Sequence, residues 1–218
     1  MTWDELMPLL AEETGNTALM VGWATLFTVL IGLPLGISLV ALDRDGLRPM
    51  PALKGVLGLV VNVGRSLPFI VLMIALIPFT RLVVGTTLGT AAMVVPLTVG
   101  AAPFFARLVE TALREVGRDV VQAAQAMGAS RGRIIARVLL PEALPGLVAG
   151  LTVTVVALIG YSAMAGTIGG GGLGDLAKRY GYERFETGVM IATVVVLIII
   201  VQLIQSAGDR VARRLSHK

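Results

Sequence analysis

Long apolar stretches constrain this chain more than anything else in it. They lie at residues 17–42, 56–79, 88–105, 144–168 and 187–206, and only the second contains a charged side chain, Arg65. A hydrocarbon layer about 30 Å thick needs about 20 apolar residues as a helix, so each stretch spans it or nearly does. Runs such as VVVLIIIV could be buried strands in a soluble sheet, but the stretch is too long for that. In lipid a helix satisfies its own backbone and an open strand does not. Charged residues make up 15% of the 218 positions, against about 25% in an average soluble domain. The mean hydropathy is +0.85. These values exclude a disordered chain and argue against a soluble enzyme. The expected fold is an all-α polytopic membrane protein with five transmembrane helices, and 1–218 reads as a single transmembrane domain.

Orientation follows from the basic residues near the span ends. With the N-terminus outside and the C-terminus cytoplasmic, the inner segments hold Arg44, Arg48, Lys54, Arg107, Arg114, Arg118, Arg131, Arg133, Arg137, Arg210, Arg213, Arg214 and Lys218. The outer segments then hold only Arg81, Lys178, Arg179 and Arg184. No basic residue precedes the first stretch, which argues against a cleaved signal peptide. Trp3, Leu6, Leu9 and Leu10 suit either a short helix on the outer surface or a frayed tail. The net charge of +4 is the positive-inside excess of a membrane protein, and no nucleic-acid partner is expected.

The second stretch is the ambiguous one. Either its helix starts near Val56 and Arg65 faces the bundle interior, with a partner or water, or the span is shorter. Pro34, Pro68, Pro78, Pro96, Pro103 and Pro145 are candidate kink points or ordinary membrane-helix prolines. Gly146, Ala149, Gly150, Ala157 and Gly160 in the fourth stretch suit close helix packing.

Several chemistries lack their residues. There are no cysteines and a single histidine, His217, so a thiolate metal site is excluded and a histidine-based metal centre or Ser-His-Asp triad has almost nothing to work with. No phosphate-cradling G-x-x-x-x-G-K-[ST] occurs. Gly169, Gly171 and Gly174 form a G-x-G-x-x-G, but it follows an apolar span instead of opening a helix inside a βαβ unit, so it reads as a sharp turn at the outer face. No Asp, Glu, Lys or His lies inside the five stretches, which leaves proton or sodium coupling without groups. No cofactor is implied. An uncoupled channel, a partner-driven transporter subunit and an assembly protein remain.

Between the third and fourth stretches, 118–141 reads as two short helices. Val120, Val121, Ala123, Ala124 and Met127 recur at helical spacing, with Asp119 placed to cap the start and Gly128 the end. Ser130 is placed to cap a second helix, carrying Ile134, Ile135 and Val138, that stops at Pro141. The first helix suits a groove on a soluble partner, or it rests on the membrane or on its own bundle.

The segment QAAQAMGASRGRIIARVLLP resembles the EAA loop of ABC-importer permeases. Ala123, Ala124, Gly128, Leu140 and Pro141 fall in register, Val138 replaces the usual Ile, and Gln122 replaces Glu. The resemblance continues through GRSLPFIVLMIALIPFTR, PLTVGAAPFFARLVE, LLPEALPGL and GYSAMAGTIGGGGLGDLAKRYGY, and it points to the methionine-type branch. It implies that Gln122, Ala123, Ala124, Met127, Gly128, Val138, Leu140 and Pro141 couple to an ATPase subunit. It also implies a homodimer, two ATPase chains, an extracytoplasmic substrate-binding protein, methionine as cargo and a bacterial inner membrane. In that setting Tyr161, Ser162, Met164, Asn62 and Arg65 are candidates for a pore or gate, or for packing. Gly169, Gly171, Gly174 and Tyr182 are candidate docking ground for the binding protein, or simply a loop.

Overall fold

A computed structural model describes residues 3–216, so His217 and Lys218 lie outside the described residues, as does the side chain of Trp3. Every regular element among the described residues is helical. They are α1 (Trp3–Ala41), α2 (Pro51–Ser66), α3 (Phe69–Ala75), α4 (Ile77–Val84), α5 (Thr90–Arg114), α6 (Arg118–Ala126), α7 (Arg131–Ile134), α8 (Leu140–Gly166), α9 (Gly172–Leu176) and α10 (Thr187–Leu215). Two π-helical turns, Ile135–Leu139 and Ala177–Tyr182, join α7 to α8 and extend α9. Four helices are long and apolar enough to cross a membrane, and a fifth crossing results if α2 and α3 form one bent span.

The apolar stretches underestimate the helices. α1 is 39 residues long and starts where a separate surface helix or a frayed tail was expected. Leu6 and Leu10 are buried against Leu173, Leu176 and Val189 instead of lying on a surface. The third helix does not end near Pro103 but runs to Arg114. The second stretch is not one helix. It breaks after Ser66, and α2 and α3 meet at 104°. Pro68 explains the break: its ring disfavours helical geometry at Leu67, which is extended, and it offers no N–H to the preceding turn. Pro78 lies in the first turn of α4, whereas Pro34, Pro96, Pro103 and Pro145 sit inside uninterrupted helices.

α5 is the central element. Its best apolar window is 56% buried, against 11% for α10, which presents most of its surface outward. α1 packs along it through Gly32 and Gly36. A Cβ on Gly32 would lie 2.9 Å from the Ala102 carbonyl oxygen, and one on Gly36 would lie 2.7 Å from that of Ala106. This four-residue glycine spacing lets the two backbones touch, a common device where apolar surface alone gives no drive to associate. On α8, Gly146 and Gly150 do pack closely, against Ala112 and Leu108. Gly160 faces open space, contrary to expectation.

Candidate functional site

α6 is held to the bundle along one edge only. Ala124 is buried among Leu113, Ile134, Leu139 and Ala143. Val120, Ala123 and Met127 face outward at i, i+3 and i+7, and Met127 is 82% exposed. The helix begins at Arg118, so Asp119 lies in its first turn and not at the cap, and no side chain caps it. Gly128 ends it as expected. Its φ of +77° is left-handed, Gly128 N–H donates to the Gln125 carbonyl, and Ala129 N–H donates back to the Ala124 carbonyl. Those two bonds make a Schellman closure. Ser130 takes the N-cap position of α7 by backbone alone, without a side-chain bond.

Pro141 does not stop the helix that follows. The chain stays helical from Arg131 to Gly166, through the π turn Ile135–Leu139. There the Leu140 N–H reaches the Ile135 carbonyl, five residues back. The wider turn accommodates a proline that lacks an N–H and would crowd an α-turn. The expected short second helix is therefore α7 with the π turn, the first part of one continuous helix that runs on into α8. The four residues 127–130 link α6 to this unbroken helix.

A charge network fastens the same end of the bundle. Glu110 on α5 is 5% exposed. It accepts hydrogen bonds from the Arg107 Nη1 and from Arg114 Nε and Nη2, the latter at 3.2 and 2.8 Å. Arg107 also donates to Asn62 Oδ1 at 2.8 Å, linking α5 to α2. Arg114 donates to Asp43 Oδ2 at 2.6 Å, and Lys54 Nζ donates to Asp43 Oδ1 at 2.8 Å. Asp43 follows α1, so one carboxylate ties α1, α2 and α5 together. Hydrogen bonds from Lys54 and then Arg114 hold its carboxyl far below the usual carboxylate range. A cleft of about 480 Å³ lies beside this network, lined by Asp43, Arg114, Arg118, Gln122 and Gln125 among others. Asn62 is thus part of a helix-to-helix brace. Sequence reading missed Glu110, although Arg107, Glu110 and Arg114 share a helix face by spacing. The signal was hidden because the third helix was expected to end before them.

The pore or gate candidates divide. Ser162 is buried and donates to its own helix, at the Ile159 carbonyl, while Met164 is exposed. Tyr161 stacks on Phe69, with centroids 4.4 Å apart and planes within 9°. Arg65 does not face the interior of the bundle. It is exposed, and among the described residues it makes no hydrogen bond or ion pair. Arg65 and Tyr161 nevertheless line one cavity of about 250 Å³, with Phe69, Leu72, Gly100 and Phe104. Arg65 is the penultimate residue of α2, at the bend, where an arginine without a protein partner calls for water or an anion.

The glycine segment is packed, not loose. Gly169, Gly171 and Gly172 have φ of +89°, +74° and +79° and turn the chain sharply. Beyond them α9 folds back into the bundle. Gly174 is buried, and a Cβ there would collide with the Ala163 backbone. Glu13, 7% exposed, accepts the Gly172 N–H at 2.7 Å and Asn16 Nδ2 at 3.1 Å on Oε2, and Arg179 at 3.2 Å on Oε1. The Leu173 N–H donates to Thr17 Oγ1 at 2.9 Å. By sequence Glu13 is one of the acidic residues ahead of the first apolar stretch, which gives no sign that it is interior. Of the four docking candidates, Gly169 and Tyr182 are exposed, Tyr182 at 70%, whereas Gly171 is half-buried and Gly174 buried. Among the described residues no group of three acidic or histidine side chains could hold a metal ion.

Residues 32–217 match the family of binding-protein-dependent transport system inner membrane components. A relative from Vibrio cholerae, named "probable D-methionine transport system permease protein", is 53% identical over 210 residues, covering 96% of this chain and 93% of the relative. The D-methionine transport system permease protein of Escherichia coli is 45% identical over 215 residues, 99% of each chain. A chain from a solved structure of inward-facing conformations of the MetNI methionine ABC transporter aligns with a TM-score of 0.97 at 45% identity, with both chains fully covered.

Proposed function

The chain belongs to the family of binding-protein-dependent transport system inner membrane components, and from that premise we propose that it is the permease of an ATP-driven methionine importer. It crosses the membrane five times, with α2 and α3 as one bent crossing, its N-terminus outside and its C-terminus in the cytoplasm. Two copies form the translocation path. Two ATPase chains bind below, and a substrate-binding protein delivers methionine above, near Gly169, Gly171, Gly174 and Tyr182.

The observation that carries the reading is α6. A short helix, fixed by Ala124 and closed by Gly128, turns an apolar stripe of Val120, Ala123 and Met127 away from its own bundle. Such a stripe fits a groove on a soluble partner. Gln122, Ala123, Met127 and Gly128 form the contact, while Val138, Leu140 and Pro141 belong to the transmission element behind it. When ATP draws the ATPases together, α6 moves with them. The π turn and α8 carry that motion along the path as a rigid body. The permease contributes a path and state-dependent contacts, and the ATPase contributes the energy.

The test is uptake of labelled methionine in a strain lacking this chain and complemented with it. Restored uptake is expected for the wild type. Met127→Asp places a charge on the stripe and should lower uptake at least tenfold with the permease still in the membrane, because an apolar anchor at an interface centre carries much of the binding energy. Uptake unaffected by Met127→Asp, or no restoration by the wild type, overturns the reading.

A further inference from the structure

We propose that the cavity in the bend between α2 and α3 is a transient binding site for the transported amino acid, with Arg65 holding its carboxylate and the Phe69–Tyr161 stack holding an unbranched, polarisable side chain. This rests on the importer reading and specifies the site within it.

The geometry comes from four helices. The break at Ser66 turns α3 across α2 at 104°, and α5 and α8 close the notch behind. Gly100 keeps the floor open: a Cβ there would lie 3.3 Å from both Leu72 and Phe69. Gly64 lets α2 approach Pro103 of α5, since a Cβ there would stand 2.8 Å from the proline ring. The cavity of about 250 Å³ falls below the 300–1,000 Å³ of drug-sized sites, which suits one small solute. Arg65 lies 14 residues into α2, roughly 21 Å along the helix at 1.5 Å per residue. It is therefore well away from the end of the bundle that carries Lys54 and Asp43.

Each part of an amino acid has a complement here. The Arg65 guanidinium is unpaired among the described residues, and its planar fork matches a carboxylate. Pro68 has no N–H to return to the Gly64 carbonyl, so this lining residue lacks the donor that a continuous helix would give it, and the ammonium group can take that place. The aromatic wall is flat because Phe69 and Tyr161 are nearly parallel, and Phe104 and Leu72 extend it. A thioether packs favourably against such rings, and an aliphatic chain of similar length also fits. No acidic side chain lines the cavity, so a second cationic group on the cargo finds no partner. Two of these residues, Phe69 and Tyr161, come from α3 and α8. A shift of α8 relative to the bend separates the rings, which couples release to the motion that starts at α6.

The experiment uses the whole complex, permease with ATPase and binding protein, in proteoliposomes matched for assembled complex. The readout is labelled methionine accumulated per ATP hydrolysed. Arg65→Met should lower that ratio about tenfold, because a buried carboxylate left without its guanidinium is held poorly. Arg65→Lys should recover part of it. Tyr161→Phe keeps the stack and should change the ratio less than twofold, whereas Tyr161→Leu should lower it about threefold. A merely structural role for these side chains would lower transport and hydrolysis together and leave the ratio unchanged. A ratio within twofold of wild type in both Arg65→Met and Tyr161→Leu overturns the site. Wild-type proteoliposomes that hydrolyse ATP but accumulate no methionine overturn the importer reading itself, a separate outcome.

Discussion

The two ends of α1 are anchored by different means. Near its start, Glu13 is bound to backbone: the Gly172 N–H, supported by Asn16 and Arg179. Beyond its end, Asp43 belongs to a mesh of side chains in which Arg114 serves both Asp43 and Glu110, and Arg107 serves both Glu110 and Asn62. A backbone donor cannot be replaced by a neighbour when its acceptor is lost. A mesh of arginines can redistribute its bonds. The glycine-loop end is thus built to hold one arrangement, and the end that carries α6 is built to keep its attachment if elements shift.

This contrast can be broken by experiment. Glu13→Ala should be the most damaging single change, costing about 2–3 kcal/mol, because it orphans the buried N–H of Gly172, while Arg179, nearly half exposed, keeps Asp175. Thermal unfolding in detergent reads it. Glu110→Ala should cost less, about 1–3 kcal/mol, since Arg107 retains Asn62 and Arg114 retains Asp43. Equal losses for the two variants would remove the distinction.

A smaller effect concerns pH. Asp43 has a depressed carboxyl pKa in the folded chain, so its stabilisation is fully present above the ordinary unfolded value of about 4 and is lost as the pH falls from there through the lower folded value. Asp43→Asn should flatten the stability profile on the acid side and leave the slope above about pH 6 unchanged. Arg118 and Asp45 form the weakest link, 3.5 Å apart with both side chains mostly in water. Arg118→Ala should leave unfolding unchanged within error, as exposed pairs contribute little.

Periodicity and composition reached much of this architecture. The helical class, the apolar cores of the spans and the Gly128 stop were all readable, because each depends on local chain properties: length, hydropathy and a single backbone conformation. Helix ends were read poorly. Arg107, Glu110 and Arg114 look like residues beyond a span when hydropathy is the guide, yet they extend α5 by satisfying one another. Pro68 and Pro141 show the same limit from the other side. Both are helix-breaking residues by type; one sits at a 104° bend and the other is absorbed by a π turn. Nothing in the identity of a proline says which will happen, because the outcome depends on what packs against the following turn.

The sequence alone determined that this chain is a set of apolar helices with a short amphipathic helix, closed at Gly128, between the third and fourth apolar stretches, since burial of uncharged stretches and a glycine-terminated helix follow from transfer free energies and backbone sterics. Only the tertiary structure decided which side of α6 is free, that Glu13 and Glu110 are interior groups, and that Arg65 shares a cavity with Tyr161. Those facts join residues up to 166 positions apart. Such pairings are set by how whole helices pack, which no local pattern in the chain encodes.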